Sequence, residues 1–297
     1  MISSSTDNTL YIKRDDLYPL SFGGNKARKG RLFFEDIQRV GADHVVTYGS
    51  NSSNHCRVVA NLAAMYGMPC TIISPEETIK DTANKKMISL MGAAYRYCPV
   101  SQVAATIQRV MEELRSDGAC PYFIQGGGHG NIGTQAYVDA YQEIWDYEQT
   151  HNIHFDYIFF ASGTGTTHAG LVCGQYLHQE RDQQIVGISI ARTNPRGKQV
   201  VIDSIRDYLG EDYAEPQAVH FIDRYVGGGY GIAQSEVTQL IRRELRINGI
   251  PLDTTYTGKA FYGMEQFILE NGIKDKNILF IHTGGTPLFF DDLEYMQ

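Results

Sequence analysis

The feature that most constrains this chain is a repeated order: a short apolar run, a glycine-rich turn, then a stretch with helical spacing. Residues 43–48 (DHVVTY) run into Gly49, and Val58, Val59, Leu62, Ala63 and Met65 then recur at helical spacing until Gly67. The strand pattern returns at 70–74, 94–97, 122–124, 156–161 and 185–190, and the helical pattern at 82–91, 101–115, 132–148 and 168–179. Alternation at this pitch predicts an α/β fold of parallel sheets with helices on both faces. A length of 297 residues suits two domains. Two parallel sheets divide the units better than one, with a smaller domain over 41–147 and a larger one over 1–40 and 148–297.

Composition narrows the function classes. Lys and Arg number 26 against 34 Asp and Glu, a net charge of −8. A surface that acidic argues against a general nucleic-acid partner, which needs a phosphate-neutralising basic face. No apolar run approaches the roughly 18 residues that cross a bilayer, so no membrane partner is expected. Residues 1–7 lack the charged and apolar regions of a signal peptide. Cys56, Cys70, Cys98, Cys120 and Cys173 are scattered and form no C-x-x-C. They read as reduced thiols of a cytoplasmic protein. No His/Cys cluster points to a metal, and no G-x-S-x-G elbow to a serine hydrolase.

Six segments hold more glycine, hydroxyl and amide groups than a scaffold needs: 21–26 (SFGGNK), 49–55 (GSNSSNH), 126–133 (GGGHGNIG), 162–170 (SGTGTTHAG), 225–230 (YVGGGY) and 282–286 (HTGGT). In parallel α/β proteins, ligands gather where such loops leave the carboxyl ends of strands. The 162–170 loop follows a strand and opens a helix, so its N–H groups suit a phosphate, or equally a tight turn capped by threonines. Gly163-x-Gly165 with Arg192 at the end of the next strand also admits an NADP-dependent oxidoreductase. Lys26 follows two glycines and an asparagine and precedes the helical stretch 27–38. It is either a solvated charge or a desolvated amine able to form a Schiff base. Ser53 reads as a helix N-cap, and the same N–H groups would hold a substrate carboxylate. His55 and His168 each open a helix, where capping or packing competes with catalysis.

The set KRDDL (13–17), GGNKARK (23–29), SNHCR (53–57), SGTGTTHAGL (162–171), YTGKA (256–260) and HTGGTP (282–287) resembles, in order and over nearly the whole chain, the D-cysteine desulfhydrase and 1-aminocyclopropane-1-carboxylate deaminase family. These are pyridoxal-phosphate enzymes of fold type II, the tryptophan-synthase-β-like architecture, with the cofactor in the cleft between two domains. The resemblance implies that Lys26 carries pyridoxal 5'-phosphate as an imine. It implies that Asn54 meets the pyridoxal 3'-oxygen and that Gly163, Thr164, Gly165, Thr166 and Thr167 cup the phosphate. Ser52, Ser53 and His55 would bind the substrate, with Ser53, Tyr230 and Tyr256 joining Lys26 in catalysis. Thr257 would sit at the pyridine nitrogen, where deaminase-like members carry glutamate in YEGK. A hydroxyl there makes the ring a weaker electron sink than a carboxylate does, which favours losing a good β-leaving group over opening a cyclopropane. The chain departs from the family at Ser52 (usually glutamine), at 127–131 (GGHGN, often GGSN) and at 47–51.

The activity implied is β-elimination from a small amino acid to a 2-oxo acid and ammonia, by a protein expected to be a homodimer. Alternatives are deaminase-like ring opening, a scaffold repurposed for a biosynthetic reaction, the NADP-dependent oxidoreductase, and a non-catalytic pyridoxal-phosphate-binding protein.

Overall fold

A computed structural model describes residues 7–78, 81–179, 182–210 and 219–296. The order is β1 (Thr9–Lys13), α1 (Asn25–Val40), β2 (His44–Tyr48), α2 (Asn54–Met65), β3 (Cys70–Pro75), α3 (Ala83–Leu90), β4 (Ala94–Cys98), α4 (Val103–Ser116), β5 (Pro121–Ile124) and α5 (Asn131–His151). It continues with β6 (Tyr157–Ser162), α6 (Thr166–Leu177), β7 (Gln184–Ser189), α7 (Arg196–Leu209), β8 (His220–Ile222), α8 (Ser235–Asn248), α9 (Thr257–Glu270), β9 (Asn277–Ile281) and α10 (Thr286–Asp292). Two sheets result, β4-β3-β2-β5 and β1-β9-β6-β7-β8, and every pairing in both is parallel. The α/β expectation of two parallel sheets holds.

Successive strand residues alternate between two cores in each sheet, as the period of two requires. Val45 and Ile72 face one core of the four-stranded sheet, Val46 and Ile73 the other. Phe160 and Phe159 divide in the same way across the five-stranded sheet. Central strands are therefore apolar on both faces, and the polar, half-exposed β4 lies at an edge.

The cores do not follow the division at 40/41 and 147/148. Phe33, Phe34 and Ile37 of α1 are buried with the four-stranded sheet, whereas Tyr137, Tyr141 and Ile144 of α5 are buried with the five-stranded sheet. The reason for α5 is steric. A Cβ at Gly170 or Gly174 of α6 would stand 2.5 Å from the Cβ of Tyr137 or Tyr141 respectively, so the bare glycines let the two helices close together. A sequence cut at a helix boundary does not register such a fit. Helix α1 also touches α5, and it opens with Lys26 on the seam between the two sheets.

Candidate active site

A cavity of about 740 Å³ opens at the carboxyl ends of strands from both sheets. The loops after β2, β5, β6, β7 and β9 line it, as does the first turn of α1. Its described walls include Lys26, Arg192, His55, His129 and His168 but no Asp or Glu, although the chain carries a net −8. The cavity is thus the place in an acidic protein where an anion is welcome.

Lys26 is placed by its neighbours. Gly24 caps α1 at φ +90°, and a Cβ there would lie 2.7 Å from the Thr283 carbonyl, so glycine is required both for conformation and for space. The next residue, Asn25, donates its N–H to that carbonyl at 3.0 Å, which ties the start of α1 to the residues just past β9. Lys26 Nζ donates to the Gly127 carbonyl at 3.0 Å. Burial brings its pKa down to about 8, so a sizeable neutral, nucleophilic fraction exists near physiological pH.

Opposite stands the 163–167 loop. Helix α6 begins at Gly165 with no side-chain cap, which leaves its first-turn N–H groups for an incoming anion. Gly163, Thr164, Gly165 and Thr167 line the cavity. Asn25 Nδ2 donates to Thr167 Oγ1 at 3.1 Å. Thr166 stands behind the wall, where its hydroxyl accepts from Lys29 Nζ at 2.6 Å. Lys29 is only 1% exposed, and burial together with the charge of Lys26 pushes its pKa well down. The sequence reading missed Lys29. Its signal was its place one helical turn after Lys26, but lysine at such spacing ordinarily reads as a solvated face. Arg192, read from the sequence only as a ligand in the NADP alternative, and His129, read only as part of a loop that departs from the family, both line it. Arg192 donates through Nη1 to the Gly163 carbonyl, so this guanidinium braces the loop.

Ser53, Asn54 and His55 open α2 on the other wall. Ser53 Oγ accepts from the N–H groups of His55 (3.2 Å) and Cys56 (3.3 Å), the geometry of an N-cap. Asn54 Oδ1 accepts from Arg57 Nη1 at 2.7 Å and from Asn84 Nδ2 at 3.0 Å. Two donors on the oxygen fix the amide's orientation and leave Nδ2 for the cavity that Asn54 lines. The Thr47 hydroxyl gives its one proton to the Ile124 carbonyl (2.8 Å), so it accepts from His55 Nε2 at 2.8 Å. His55 is a neutral Nε2–H tautomer, and burial keeps its pKa well below the ordinary value. Ser52 does not reach the cavity wall. Its hydroxyl meets Ser50 at 3.1 Å, and its carbonyl accepts from Asn84.

Tyr230 and Tyr256 line the cavity with their hydroxyls 2.5 Å apart. Burial raises both phenol pKa values, that of Tyr256 well above 10. Thr257, one residue on, is fully buried and absent from the wall. Its hydroxyl donates to Asp253 Oδ1 at 2.7 Å and accepts from the Asp253 N–H at 3.1 Å. Asp253 has no exposed surface, and burial lifts its pKa to about 6. Thr283, two residues past β9, lines the cavity.

The donor set can be tested against pyridoxal phosphate. A desolvated lysine suits its aldehyde, an uncapped helix start among glycines suits its phosphate, and an amide N–H₂ held by its oxygen suits a ring oxygen. These residues fit the group. The fold and the site define an enzyme of the fold type II, pyridoxal-phosphate-using class. The chain belongs to the pyridoxal-phosphate dependent enzyme family, whose profile matches residues 2–284. It is 31% identical over 298 residues to D-cysteine desulfhydrase of Salmonella paratyphi A, covering 97% of this chain and 90% of that protein. The same identity and coverage hold for D-cysteine desulfhydrase of Salmonella typhi. The crystal structure of an ACC deaminase homologue matches with a TM-score of 0.85 at 34% identity, over 97% of this chain and 87% of that one. Cysteine synthase from Entamoeba histolytica shares the fold alone, with a TM-score of 0.67 at 16% identity over 98% and 83% of the two chains. The protein is a pyridoxal-phosphate-dependent enzyme. That sets aside the NADP-dependent reading, whose phosphate ligand Arg192 is turned to a protein carbonyl. It equally sets aside the non-catalytic carrier. Among the described residues, no helix is long and apolar enough to cross a membrane.

Proposed function

We propose that the chain removes the α-proton of a small amino acid and expels a β-substituent, in the manner of a D-cysteine desulfhydrase. One water then hydrolyses the released enamine, so the products are a 2-oxo acid, ammonia and the leaving group. The observation that carries this reading is the Lys26 amine, its pKa brought to about 8 inside a carboxylate-free cavity. Bound pyridoxal phosphate supplies an aldehyde for an amine and a ring that accepts electron density from the α-carbon. Lys26 holds the cofactor in the resting enzyme. Its neutral amine would also be the base that takes the α-proton. The 163–167 loop, braced by Lys29 and Arg192, holds the phosphate. The Ser53 hydroxyl, which keeps its proton while capping α2, donates to the substrate carboxylate, and Asn54 Nδ2 meets the ring oxygen.

Tyr230 and Tyr256 act as acids. With raised pKa values they keep their protons, one shared between the two oxygens and the other free to go to the departing sulfur. A second reading, ring-opening deamination, is favoured by the 34% identical ACC deaminase homologue. We further infer a cytoplasmic homodimer. Sedimentation at twice 33.3 kDa is the expected result.

The test is a panel. Purified protein with pyridoxal phosphate is offered D-cysteine, L-cysteine, D-serine and 1-aminocyclopropane-1-carboxylate, and sulfide, 2-oxo acid and ammonia are measured. Sulfide and oxo acid in equal amounts from D-cysteine are expected. Oxo acid from the cyclopropane alone selects the second reading, and turnover of none of the four sinks both. Borohydride reduction should fix cofactor mass to the peptide containing Lys26, and Lys26→Ala should abolish both that adduct and turnover.

A further inference from the structure

Lys259 is a buried cation with no part in the mechanism above. It lies one turn past Tyr256 on α9, has no exposed surface, and does not line the cavity. Its Nζ donates to the carbonyls of Val226 (3.1 Å) and Gly229 (2.5 Å), both in the glycine-rich segment that carries Tyr230. Burying an ammonium is costly even when acceptors are supplied, and an apolar residue of similar volume often serves a core better. Stability is therefore a poor reason for lysine at this position, and the two carbonyls suggest a better one.

The segment they belong to has little else to hold it. Gly227, Gly229 and Gly231 sit at φ +66°, +115° and +70°, so every second residue from 227 to 231 is in the region that favours glycine. Residues 227, 228 and 230–233 are exposed. Buried Tyr225 and Val226 fix one end and the start of α8 the other. Between those ends, two side chains from a single turn of α9 reach across. Tyr256 meets the Tyr230 hydroxyl, and Lys259 takes the carbonyl of the residue just before Tyr230. A segment with few buried apolar contacts opens readily unless specific bonds close it. The phenol pair alone is one hydrogen bond between two side chains, which does not fix the backbone.

We propose that Lys259 is a positioning residue, whose ammonium pins the Val226 and Gly229 carbonyls so that Tyr230 stands against Tyr256 over the cavity. The functional half rests on the reading that Tyr230 delivers a proton. The structural half does not. Lys259 would then set the frequency with which the acid is in place. Its loss should lower turnover more than substrate binding, because the carboxylate and phosphate contacts lie on other loops.

The holoenzyme tests this with Lys259→Met, which keeps the stem and removes the donors, and with Lys259→Arg, which keeps charge and donors. Hydrogen–deuterium exchange is read on peptides spanning 224–234, with β9 and the rest of α9 as internal controls. Lys259→Met should speed exchange at 226–233 by about tenfold or more while the controls stay unchanged. For the amino acid turned over in the panel, kcat should fall about tenfold with KM moved less than about threefold. Tyr230→Phe added to Lys259→Met should then cost less than Tyr230→Phe alone, since both remove the same event. Lys259→Arg should recover most of both signals. Unchanged exchange at 226–233, or losses that simply multiply in the double variant, would overturn the proposal. If Lys259→Met does not accumulate as holoenzyme, Lys259→Gln is read by the same two measurements. Exchange needs no substrate, so a protein that turns over nothing sinks the functional reading while leaving the pinning of the segment decidable.

Discussion

The roles proposed for Lys26 and Ser53 ask one side chain to serve fold and chemistry together. Burial holds the Lys26 amine at a pKa of about 8. Below that pH it is an ammonium without a lone pair, and each unit lower reduces the reactive fraction about tenfold. Apoprotein should therefore capture pyridoxal phosphate faster as pH rises and level off just above 8, measured as growth of the cofactor's visible band. A rate still climbing at pH 10 would show an ordinary solvated amine. Ser53 uses its lone pairs on the His55 and Cys56 N–H groups and keeps its hydroxyl proton, which a substrate carboxylate can accept. Ser53→Ala should lose about 1 kcal/mol of stability and raise KM. Ser53→Asp should restore the cap and the stability yet leave the enzyme poorer than Ser53→Ala, because a second carboxylate then faces the substrate. Equal catalytic constants in wild type and both variants would confine Ser53 to the cap. The place of Lys26 on the cavity wall was legible in the sequence because glycines and an asparagine announce it. Lys29 was not, since only tertiary burial distinguishes it from a surface lysine.

At the scale of elements, the strand–turn–helix alternation from 43 to 190 was readable because the central strands are apolar on both faces and each helix is closed by a glycine or a polar turn. The remainder was harder for physical reasons. Strand β8 is only three residues long, and β1 pairs with β9 through partners as distant as Thr9 and Asn277, a juxtaposition without local signature. The start of α9 was also opaque. The expectation for Thr257 came from its place beside Tyr256 in the motif, but its hydroxyl is spent on Asp253, which also accepts from the N–H groups of Thr255, Tyr256 and Thr257. Asp253 caps α9 from outside its first turn, a spacing the usual N-cap pattern does not contain. Thr257→Val should cost about 2 kcal/mol, since it removes one hydrogen bond to a buried carboxylate. Thr257→Glu should cost more, because it sets a second carboxylate against Asp253. Thr283→Val, altering a residue on the cavity wall, should shift the visible band of the bound cofactor, whereas Thr257→Val should leave it in place. A shifted band in Thr257→Val with stability unchanged would return that hydroxyl to the ring.

At the scale of the whole molecule, we propose a division in which α1 goes with the four-stranded sheet and α5 with the five-stranded one. The two are fastened by an ion-pair cluster whose members do not line the cavity. Arg28 of α1 reaches buried Asp15 at 2.9 Å and Glu143 of α5 at 2.7 Å. On the cavity side they face each other through loops, the start of α2 from one sheet and the 163–167 loop from the other. A ligand that touches both walls binds the folded arrangement and not the unfolded chain, so it stabilises by mass action. The gain is about 2.7 kcal/mol at a hundred times its Kd. Pyridoxal phosphate should raise the melting temperature of the apoprotein on that basis, and pyridoxal, without the anion, should raise it less at the same concentration. The difference measures the phosphate cradle. Lys29→Met should narrow it from the phosphate side, because the residue behind Thr166 no longer carries donors or charge. The stabilisation by pyridoxal should be little changed in that variant. If pyridoxal and its phosphate stabilise wild type equally, the 163–167 loop is not the phosphate site. If they differ but Lys29→Met leaves the gap intact, the cradle stands on its backbone N–H groups without the buried lysine.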